Sequence, residues 1–382
     1  IPLRPRKRIS FNPPLTFDRS MTSPHRPWRR RLLVVTAVVL AVALPLYLLR
    51  GTLALRLAER QIDQVARLAD PLAALPDGLH VGLCGTGSPM VDARHGGPCT
   101  VVIAGRRMLV FDAGPGSAAV LTRMRLNPGQ IEAVYLTHFH SDHIGGLPDV
   151  LLQRWVAASA RQPLPIVGPP GVAGVVDGLT RAFAADHAYR VQHHGTAIVP
   201  PAGGRGEARE FTLGPDGRAI LINDGALQLV AFEVDHGPVK PAVGYRIEYR
   251  GRTVVLSGDT RASAAVERES QGVDLLIHEG LSPQLVSLME SSFAKHARLA
   301  YARVMADIRN YHTAPTEAAA IAARAGVKML VFNHIVPPLP VDALEPVFLG
   351  DARRRFDGPI RVGADGDWFT LPANSTAIVE QR

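Results

Sequence analysis

The chain has 382 residues, of which 47% are hydrophobic and 20% charged, so it is long enough for a large α/β domain and its composition excludes extended disorder and a multi-span membrane protein. Its formal net charge of +8 is concentrated in residues 1–50, where ten Lys and Arg accompany one acid, Asp18. Residues 51–382 therefore have a net charge of −1, which excludes a general electrostatic attraction to nucleic acid, and we do not expect strong nucleic-acid binding.

The N-terminal sequence predicts a membrane anchor. Met21 begins a basic segment typical of a targeting sequence, so we expect residues 1–20 to be an untranslated or disordered leader without function. Residues 32–49 carry no charge, are just long enough to span a bilayer, and follow three arginines, the pattern expected on the cytoplasmic side. No small-residue cleavage site follows, which favours an uncleaved anchor over residues 21–50 rather than a removed signal peptide or a core helix. We therefore expect an inner-membrane anchor with the catalytic domain in the periplasm.

A second helical segment is predicted after the anchor. Apolar residues at helical spacing alternate with charged residues between Leu53 and Leu68, and Pro71 and Pro76 end the pattern. We assign residues 51–77 to a juxtamembrane helix and linker, residues 78–372 to a hydrolase domain and residues 373–382 to a tail.

From residue 78, strand-like and helix-like segments alternate, which predicts an α/β fold. Several strands end at charged or histidine residues, so we expect the chemistry along one edge of the sheets. Residues Gly203 to Gly217, rich in glycine and charge, predict a loop. The predicted helices are 171–185 and 315–325, and the predicted strands are 79–85, 100–105, 107–114, 133–138, 163–169, 227–236, 242–249, 252–259, 273–280 and 328–334.

The two cysteines, Cys84 and Cys99, lie on the first two predicted strands. We expect them to approach each other across these neighbouring strands. In an oxidising compartment they could form a disulfide, for which their Cα atoms must lie within about 7 Å, and the alternative is two buried free thiols.

The strongest chemical signal is the segment Thr137 to Gly146, which reads THFHSDHIGG and follows an apolar strand. Imidazole nitrogens and carboxylate oxygens are the ligands that zinc prefers. Three histidines and an aspartate within six positions at a strand end favour a metal site over a histidine-rich loop. The four candidate ligands are His138, His140, Asp142 and His143.

This HxHxDH pattern, followed by two glycines, resembles the signature of the metallo-β-lactamase superfamily. Further matches cover nearly all of residues 80–336 and resemble the ribonuclease Z branch, which is related to arylsulfatases and phosphodiesterases. The resemblance implies a four-layer αββα sandwich. It rests on CGTGSP at 84–89, FDAG at 111–114, His236 followed by GYRI at 244–247, GDT at 258–260, HE at 278–279, His312 and His334.

The resemblance also implies a site with two divalent metal ions, with zinc expected first and Mn²⁺ or Fe²⁺ as alternatives. Asp259 would bridge the two ions and leave open positions for a shared hydroxide. His312 would be the general acid, oriented by Glu279, and Asp142 would act in catalysis as well as in binding. One ion would be bound by His138, His140 and His236, and the other by Asp142, His143 and His334.

The implied reaction is hydrolysis of a phosphodiester or sulfate ester in a small molecule or an oligonucleotide, with the metal-bridging hydroxide as nucleophile. The chain departs from the ribonuclease Z pattern in three places. Only about a dozen residues separate Tyr245 from Asp259, which excludes the long arm with which some members grip transfer RNA. Ile-Val-Pro-Pro follows His334 in place of Ser-x-Arg-Tyr, and the HEAT motif reads His-Glu-Gly-Leu. A true 3′-tRNA-processing endoribonuclease is therefore an alternative rather than the main interpretation.

Other classes stay open as alternatives. A lactonase or thioesterase shares HxHxDH but does not need the HE pair and the later histidine. A flavo-diiron oxidoreductase would have Glu in place of His140. A metal-binding pseudoenzyme would be expected to lack ligands, whereas the sequence retains all of them. The expected partners are the ester substrate, the membrane through the N-terminal helix, and a second copy of the chain in a homodimer.

Overall fold

The chain divides into two compact units, residues 1–68 and 69–382, and the computed structural model describes residues 27–66 and 71–381. The predicted leader, residues 1–20, lies outside the described residues. The described part of the first unit is a single helix, α1 (Pro27–Ala66), with Pro45 inside it. Its segment Arg30–Gln64 is long and apolar enough to cross a membrane. The predicted anchor and juxtamembrane helix are thus one continuous helix.

Two mixed sheets form the centre of the second unit. The first has the strand order β15-β14-β1-β2-β3-β4-β5-β6, and the second has the order β13-β12-β11-β10-β9-β8-β7. The first contains β1 (Gly78–Gly85), β2 (Cys99–Ala104), β3 (Arg107–Phe111), β4 (Ile131–Tyr135), β5 (Leu164–Gly168), β6 (Gly206–Glu210), β14 (Trp368–Pro372) and β15 (Val379–Gln381). The second contains β7 (Arg218–Asn223), β8 (Leu227–Glu233), β9 (Val243–Tyr249), β10 (Arg252–Leu256), β11 (Leu275–Leu281), β12 (Met329–Val336) and β13 (Ile360–Val362).

Eleven helices of the described part accompany the sheets, so the predicted α/β class is confirmed. The helices are α2 (Ser117–Arg123), α3 (Ser141–Ile144), α4 (Leu147–Ala158), α5 (Val172–Ala182), α6 (Ala184–His194), α7 (Ala264–Glu269), α8 (Pro283–Lys295), α9 (Leu299–Ile308), α10 (Pro315–Arg324), α11 (Glu345–Leu349) and α12 (Ala352–Arg355). Short 3₁₀ turns occupy Pro71–Ala74, Pro128–Gln130 and Asp342–Leu344.

The apolar side chains of the strands divide between two kinds of core. Val102 and Ala104 of β2 contribute to a core shared with the second sheet, whereas Val101 and Ile103 pack with helices α2, α4 and α5. The second sheet is also covered on both sides. One face contacts the first sheet, and the face that points away from the first sheet packs with α7, α10, α11 and α12. Alternate strand residues point to opposite faces of a sheet, so each sheet buries both faces.

A disulfide joins Cys84 of β1 to Cys99 of β2, with the Cα atoms 4.8 Å apart. The two strands are antiparallel neighbours, so the expected approach of the cysteines is confirmed and the interpretation as free thiols is wrong. The bond closes the loop between the two strands, which carries Pro89, Met90 and Val91.

Three parts of the second unit differ from the sequence-based expectations. The predicted loop from Gly203 to Gly217 contains the edge strand β6, which pairs in parallel with β5. Strands β7, β13 and β14 and helices α2, α7, α8, α9, α11 and α12 were not among the predicted elements. The residues assigned to a tail include β15, which pairs antiparallel with β14.

The C-terminal segment is held by a buried arginine of the second sheet. Arg252 on β10 is 1% exposed, and its Nε donates to Asp274 at 3.1 Å. Its Nη2 donates to the carbonyl of Ala377 at 3.0 Å, and its Nη1 donates to the carbonyl of Ser375. Guanidinium is rarely buried unless its donors are paired, and here carbonyls from the chain end supply part of that pairing.

Candidate metal centre

The chemically active side chains lie at or just beyond the ends of neighbouring strands. His138 and His140 follow β4, and Asp142 and His143 lie on the short helix α3. In the second sheet, His236 follows β8 and Asp259 follows β10. Glu279 and His334 are the later residues of β11 and β12, and His312 lies between α9 and α10. Strand ends at one edge of each sheet therefore bring together residues that are far apart in sequence.

Asp259 lies at the centre of this cluster. Its Oδ2 is 3.1 Å from Nε2 of His334, 3.4 Å from Nε2 of His143, 3.8 Å from Nε2 of His236 and 4.0 Å from Nε2 of His138. One carboxylate oxygen is thus surrounded by four ring nitrogens. All five side chains are buried.

Three groups of possible ligand atoms are present, in each of which the atoms lie within 4.8 Å of one another, and two of these groups contain the seven predicted ligands. These two groups are adjacent at Asp259. Asp259 belongs to the first group, and its Oδ2 also lies 3.4 Å from Nε2 of His143 and 3.1 Å from Nε2 of His334 in the second group. The structure therefore brings together all seven residues predicted as ligands, and their binding of metal stays a prediction. The first group is His138, His140, His236 and Asp259, and the second is Asp142, His143 and His334.

Residues behind the histidines fix the orientation of the rings. The carboxylate of Asp112 accepts a hydrogen bond from Nδ1 of His143 at 2.8 Å and two from Thr137, through its amide and its hydroxyl, each at 2.8 Å. Nδ1 of His236 donates to the carbonyl of Tyr311 at 3.0 Å. A histidine that donates a hydrogen bond through one ring nitrogen leaves its other nitrogen free to bind a metal ion. Both rings therefore direct Nε2 toward the cluster.

The hydrogen bonding of two of these nitrogens indicates whether the site fits a metal ion. Nε2 of His143 and Nε2 of His236 are buried and have no hydrogen-bond partner among the described residues. Leaving a buried polar atom unpaired costs about 1–3 kcal/mol, and a metal ion held at the cluster would remove that cost. The donor set of imidazole nitrogens and carboxylates also fits a zinc ion, so the residues present fit the implied metals.

The electrostatics of the cluster favour cations. Burial lowers the pKa of His138 well below its ordinary value. Burial also opposes the charge on His334, but Asp259 and the hydrogen bond to Asp142 raise the pKa of His334 to about 8. Asp259 is buried too, yet the charges of His334 and His143 lower its pKa well below the ordinary value. The central carboxylate therefore stays ionised and attracts positive charge.

His312 and Glu279 form a pair next to the cluster. Nδ1 of His312 lies 3.1 Å from Oε1 of Glu279, which also accepts from the amide of Thr313 at 2.9 Å. The side chain of His312 is 7% exposed. One of its nitrogens lies within 4.8 Å of ligand atoms of Asp259 and His334. The expected contact between Glu279 and His312 is present, and the acid role of His312 stays a prediction.

Backbone conformation at the site requires unusual residues. Asp112 and His334 have φ of 57° and 46°, in the left-handed region of backbone conformation. Residues other than Gly, Asn and Asp rarely adopt this region. Gly258, directly before Asp259, has φ of 61°, and a Cβ there would lie 2.5 Å from the carbonyl oxygen of Val243. A glycine at this position is therefore required to place Asp259.

A cavity of about 810 Å³ opens beside the cluster. Its lining includes His140, Asp142, Asp259, His312 and His334, so the site and the cavity form one space. We call this space the chamber. Its other walls come from α8, α9 and the loops after β1 and β12.

The model of the β-lactamase superfamily domain matches residues 107–335. Ribonuclease Z of Mycolicibacterium paratuberculosis is 38% identical to the chain over 289 residues, which cover 75% of this chain and 96% of that protein. The chain belongs to the metallo-β-lactamase superfamily, in its ribonuclease Z branch. It is thus a metal-dependent hydrolase that acts on ester bonds, as the motifs predicted.

Solved structures show the same fold as this metallo-β-lactamase superfamily member. The metallo-β-lactamase fold protein YhfI from Bacillus subtilis has a TM-score of 0.56 and 19% identity, over 80% of this chain and all of that one. The short form of human tRNase Z has a TM-score of 0.53 and 21% identity, over 77% of this chain and 99% of that one. At these identities the likeness concerns the fold alone.

Some residues of the site escaped the sequence analysis of this superfamily member. Asp112 lies within FDAG, a motif that by itself assigns it no role, and the signal available in the sequence is its position directly after a strand. The carbonyl of Tyr311 and the apolar walls of the chamber had no motif. Tyr311 acts through its backbone, which no side-chain pattern can reveal.

Proposed function

We propose that the chain is a dinuclear metal-dependent phosphodiesterase. The position of Asp259 carries the proposal, because one buried carboxylate oxygen lies within 4.0 Å of ring nitrogens from both ligand groups. A bridging carboxylate of this kind serves a pair of ions rather than a single ion. Relatives named ribonuclease Z support a phosphodiester as the bond that is cleaved.

The residues divide the work as follows. His138, His140 and His236 would hold one divalent ion, and Asp142, His143 and His334 would hold the other, with Asp259 between them. When bound, the two ions, zinc in the first place, would supply an activated water and would stabilise charge on the ester oxygens. The carboxylate of Asp142 borders the chamber and can accept a proton from that water.

The departing oxygen needs a proton, and His312 is placed to give it. The water oxygen would form a new P–O bond as the P–O bond to the leaving group breaks, and a proton would pass from Nε2 of His312 to the departing oxygen. The proton accepted by Asp142 is then released to solvent, and solvent returns a proton to His312. Oε1 of Glu279 lies 3.1 Å from Nδ1 of His312 and so orients the ring.

The proposal is tested with the purified full chain, bis(p-nitrophenyl) phosphate, p-nitrophenyl sulfate, a lactone and a transfer-RNA precursor, assayed side by side with metal analysis. We expect hydrolysis of the phosphodiester, about two metal ions per chain, loss of activity with a chelator and recovery with zinc. Asp259→Asn should lower metal content and activity together. Faster turnover of the sulfate or the lactone, or a single ion per fully active chain, would contradict the proposal.

We also propose that α1 anchors the chain in the inner membrane, with the catalytic unit on the periplasmic side. The length and apolar character of Arg30–Gln64 support the anchor. The arginines at 29–31 support the orientation, since positive residues flank the cytoplasmic end of such helices. The disulfide between Cys84 and Cys99 supports the compartment, because disulfides persist mainly in oxidising environments.

A further inference from the structure

We propose that the substrate is an ester with a bulky apolar group, which the chamber binds while the ester itself lies at the metal centre. The inference rests on the proposed function and adds the class of substrate to it. It is based on the lining of the chamber, in which residues of the metal centre form one wall and apolar side chains form the others. An apolar group attached to the reacting ester would therefore enter the chamber directly.

The apolar walls are built by two helices that each turn one face toward the chamber. On α8 these residues are Leu285, Leu288 and Met289, at positions i, i+3 and i+4. On α9 they are Tyr301, Val304, Met305 and Ile308, which extend the same spacing by one more turn. The rest of the apolar lining consists of Pro89, Met90 and Val91 and of Val336, Pro337, Pro338, Pro340 and Leu344.

Part of this surface is packed and part is open. Met305 is 5% exposed and packs in a small buried cluster with Leu281, Val286 and Val336. This part of the chamber wall is therefore well packed. Leu288 and Val304 are 67% and 51% exposed. Exposed apolar side chains beside a catalytic centre are typical of a ligand site, and the volume of about 810 Å³ lies within the range of such sites.

The charges around the chamber argue against a polynucleotide in it. Among the described residues that line it, none is Lys or Arg, and the charged groups present belong to the metal centre and its acid. Arginines on or beside the two helices have other partners, since Arg298 stacks on Tyr301 with 4.5 Å to the ring centroid and Arg309 binds Glu290. A bound polyanion requires a row of Lys or Arg along its path, and aromatic stacking alone does not replace it.

A homologous series of substrates tests the inference. The p-nitrophenyl phosphodiesters of methanol, butanol and octanol share their charge and leaving group and differ only in the alkyl group. We expect kcat/KM to rise along the series, by up to about fourfold per methylene and by at least about tenfold from methyl to octyl. The full chain is assayed in lipid nanodiscs, with each substrate below its micellar concentration.

A pair of double variants shows where the selectivity arises. Leu288→Asn with Val304→Asn changes chamber residues that are 67% and 51% exposed, and Leu299→Asn with Val156→Asn changes helical residues outside the lining that are 69% and 53% exposed. We expect the first variant to lower the octyl-to-methyl ratio by about tenfold and the second to keep the wild-type ratio. Partition of octyl esters into lipid affects both variants equally, so it cannot produce that difference.

A binding measurement separates the inference from the proposed function. Octyl(methyl)phosphinate and dimethylphosphinate, which have two P–C bonds and no ester bond to cleave, are compared by calorimetric titration. At least tenfold tighter binding of the octyl compound supports the inference even if no diester is hydrolysed, in which case the proposed function alone fails. Equal binding, a flat kcat/KM series with active enzyme, or a transfer-RNA precursor cleaved with higher kcat/KM than the octyl ester would overturn the inference.

Discussion

At the scale of single residues, Asp112 lies behind the cluster and does not belong to either group of possible ligands. Its carboxylate receives three hydrogen bonds, from His143 and from the amide and hydroxyl of Thr137. The hydroxyl of Thr137 also lies 3.0 Å from Nδ1 of His138. One buried carboxylate thus influences ligands of both proposed ions.

Replacement of Asp112 should therefore weaken metal binding without removing a ligand. In Asp112→Asn the charge that makes the His143 ring more basic is lost, and we expect metal affinity to fall about 10- to 100-fold. Competition with a chelator of known affinity measures it, and far-ultraviolet circular dichroism checks the fold. Unchanged affinity in a folded variant would show that Asp112 does not orient His143.

His312 should separate catalysis from metal binding. In His312→Ala we expect turnover of an alkyl phosphodiester to fall about 100-fold or more, because a positioned acid is lost, with metal content intact. The loss should shrink for p-nitrophenolate, which leaves without a proton. His296→Ala, an exposed histidine on the C-terminal side of α8, is the control. Loss of metal, or full activity on a poor leaving group, would make His312 a ligand or a bystander.

Much of the candidate site could be predicted at this scale. The HxHxDH segment is local, so His138, His140, Asp142 and His143 are visible as a set in the sequence. His334 was found only through the family resemblance, since its left-handed backbone and its place beside Asp259 depend on the folded sheets. Tyr311 could not be found, because its carbonyl rather than its side chain contacts His236.

At the scale of elements, the disulfide between β1 and β2 should contribute measurably to stability. The bond closes a loop of 15 residues, and loop-closure entropy assigns about 3 kcal/mol to a loop of that length. We expect Cys84→Ser with Cys99→Ser to lower the free energy of unfolding by about that amount, measured by urea denaturation followed by tryptophan fluorescence. Reductant should destabilise the wild-type protein but not the variant. Equal unfolding free energies would contradict the expectation.

The elements that escaped prediction did so for different reasons. Strand β6 reads GEARE and has no apolar alternation, and it is a strand because its backbone pairs with β5 at the edge of the sheet. Helices α8 and α9 carry a regular apolar spacing that is present in the sequence. Their apolar residues line a cavity, however, and spacing alone cannot distinguish a cavity wall from a packed core.

At the scale of the whole molecule, the N-terminal helix should determine where the chain resides. In a Gram-negative host we expect the full chain in the membrane fraction, resistant to carbonate extraction, and a C-terminal reporter accessible to protease in spheroplasts. Val39→Arg places a charge inside the apolar stretch, at a cost of about 2.5–3.5 kcal/mol to insertion, and should reduce the membrane fraction more than Leu55→Arg in the same helix. A soluble full chain, or a protected reporter, would contradict the anchor or its orientation.

Sequence reasoning works well at this scale, because hydropathy and composition are averaged over many residues. The apolar stretch at 32–49 is visible without any structure, and so is the change to mixed strands and helices from residue 78. The continuity of α1 through residue 66 could not be predicted from the change in composition at Arg50. Helical hydrogen bonds continue across a boundary between apolar and charged residues as long as no residue prevents them.

The buried guanidinium of Arg252 has a practical consequence for anyone who shortens this protein for expression. The carbonyls of Ser375 and Ala377 that it binds come after residue 372, where a boundary drawn from the sequence would have ended the domain. A chain cut there would retain the arginine inside the protein with part of its donors unpaired, a change that typically costs several kcal/mol. The useful cloning boundary is therefore beyond Gln381, after β15, and affinity tags belong behind a spacer that follows it.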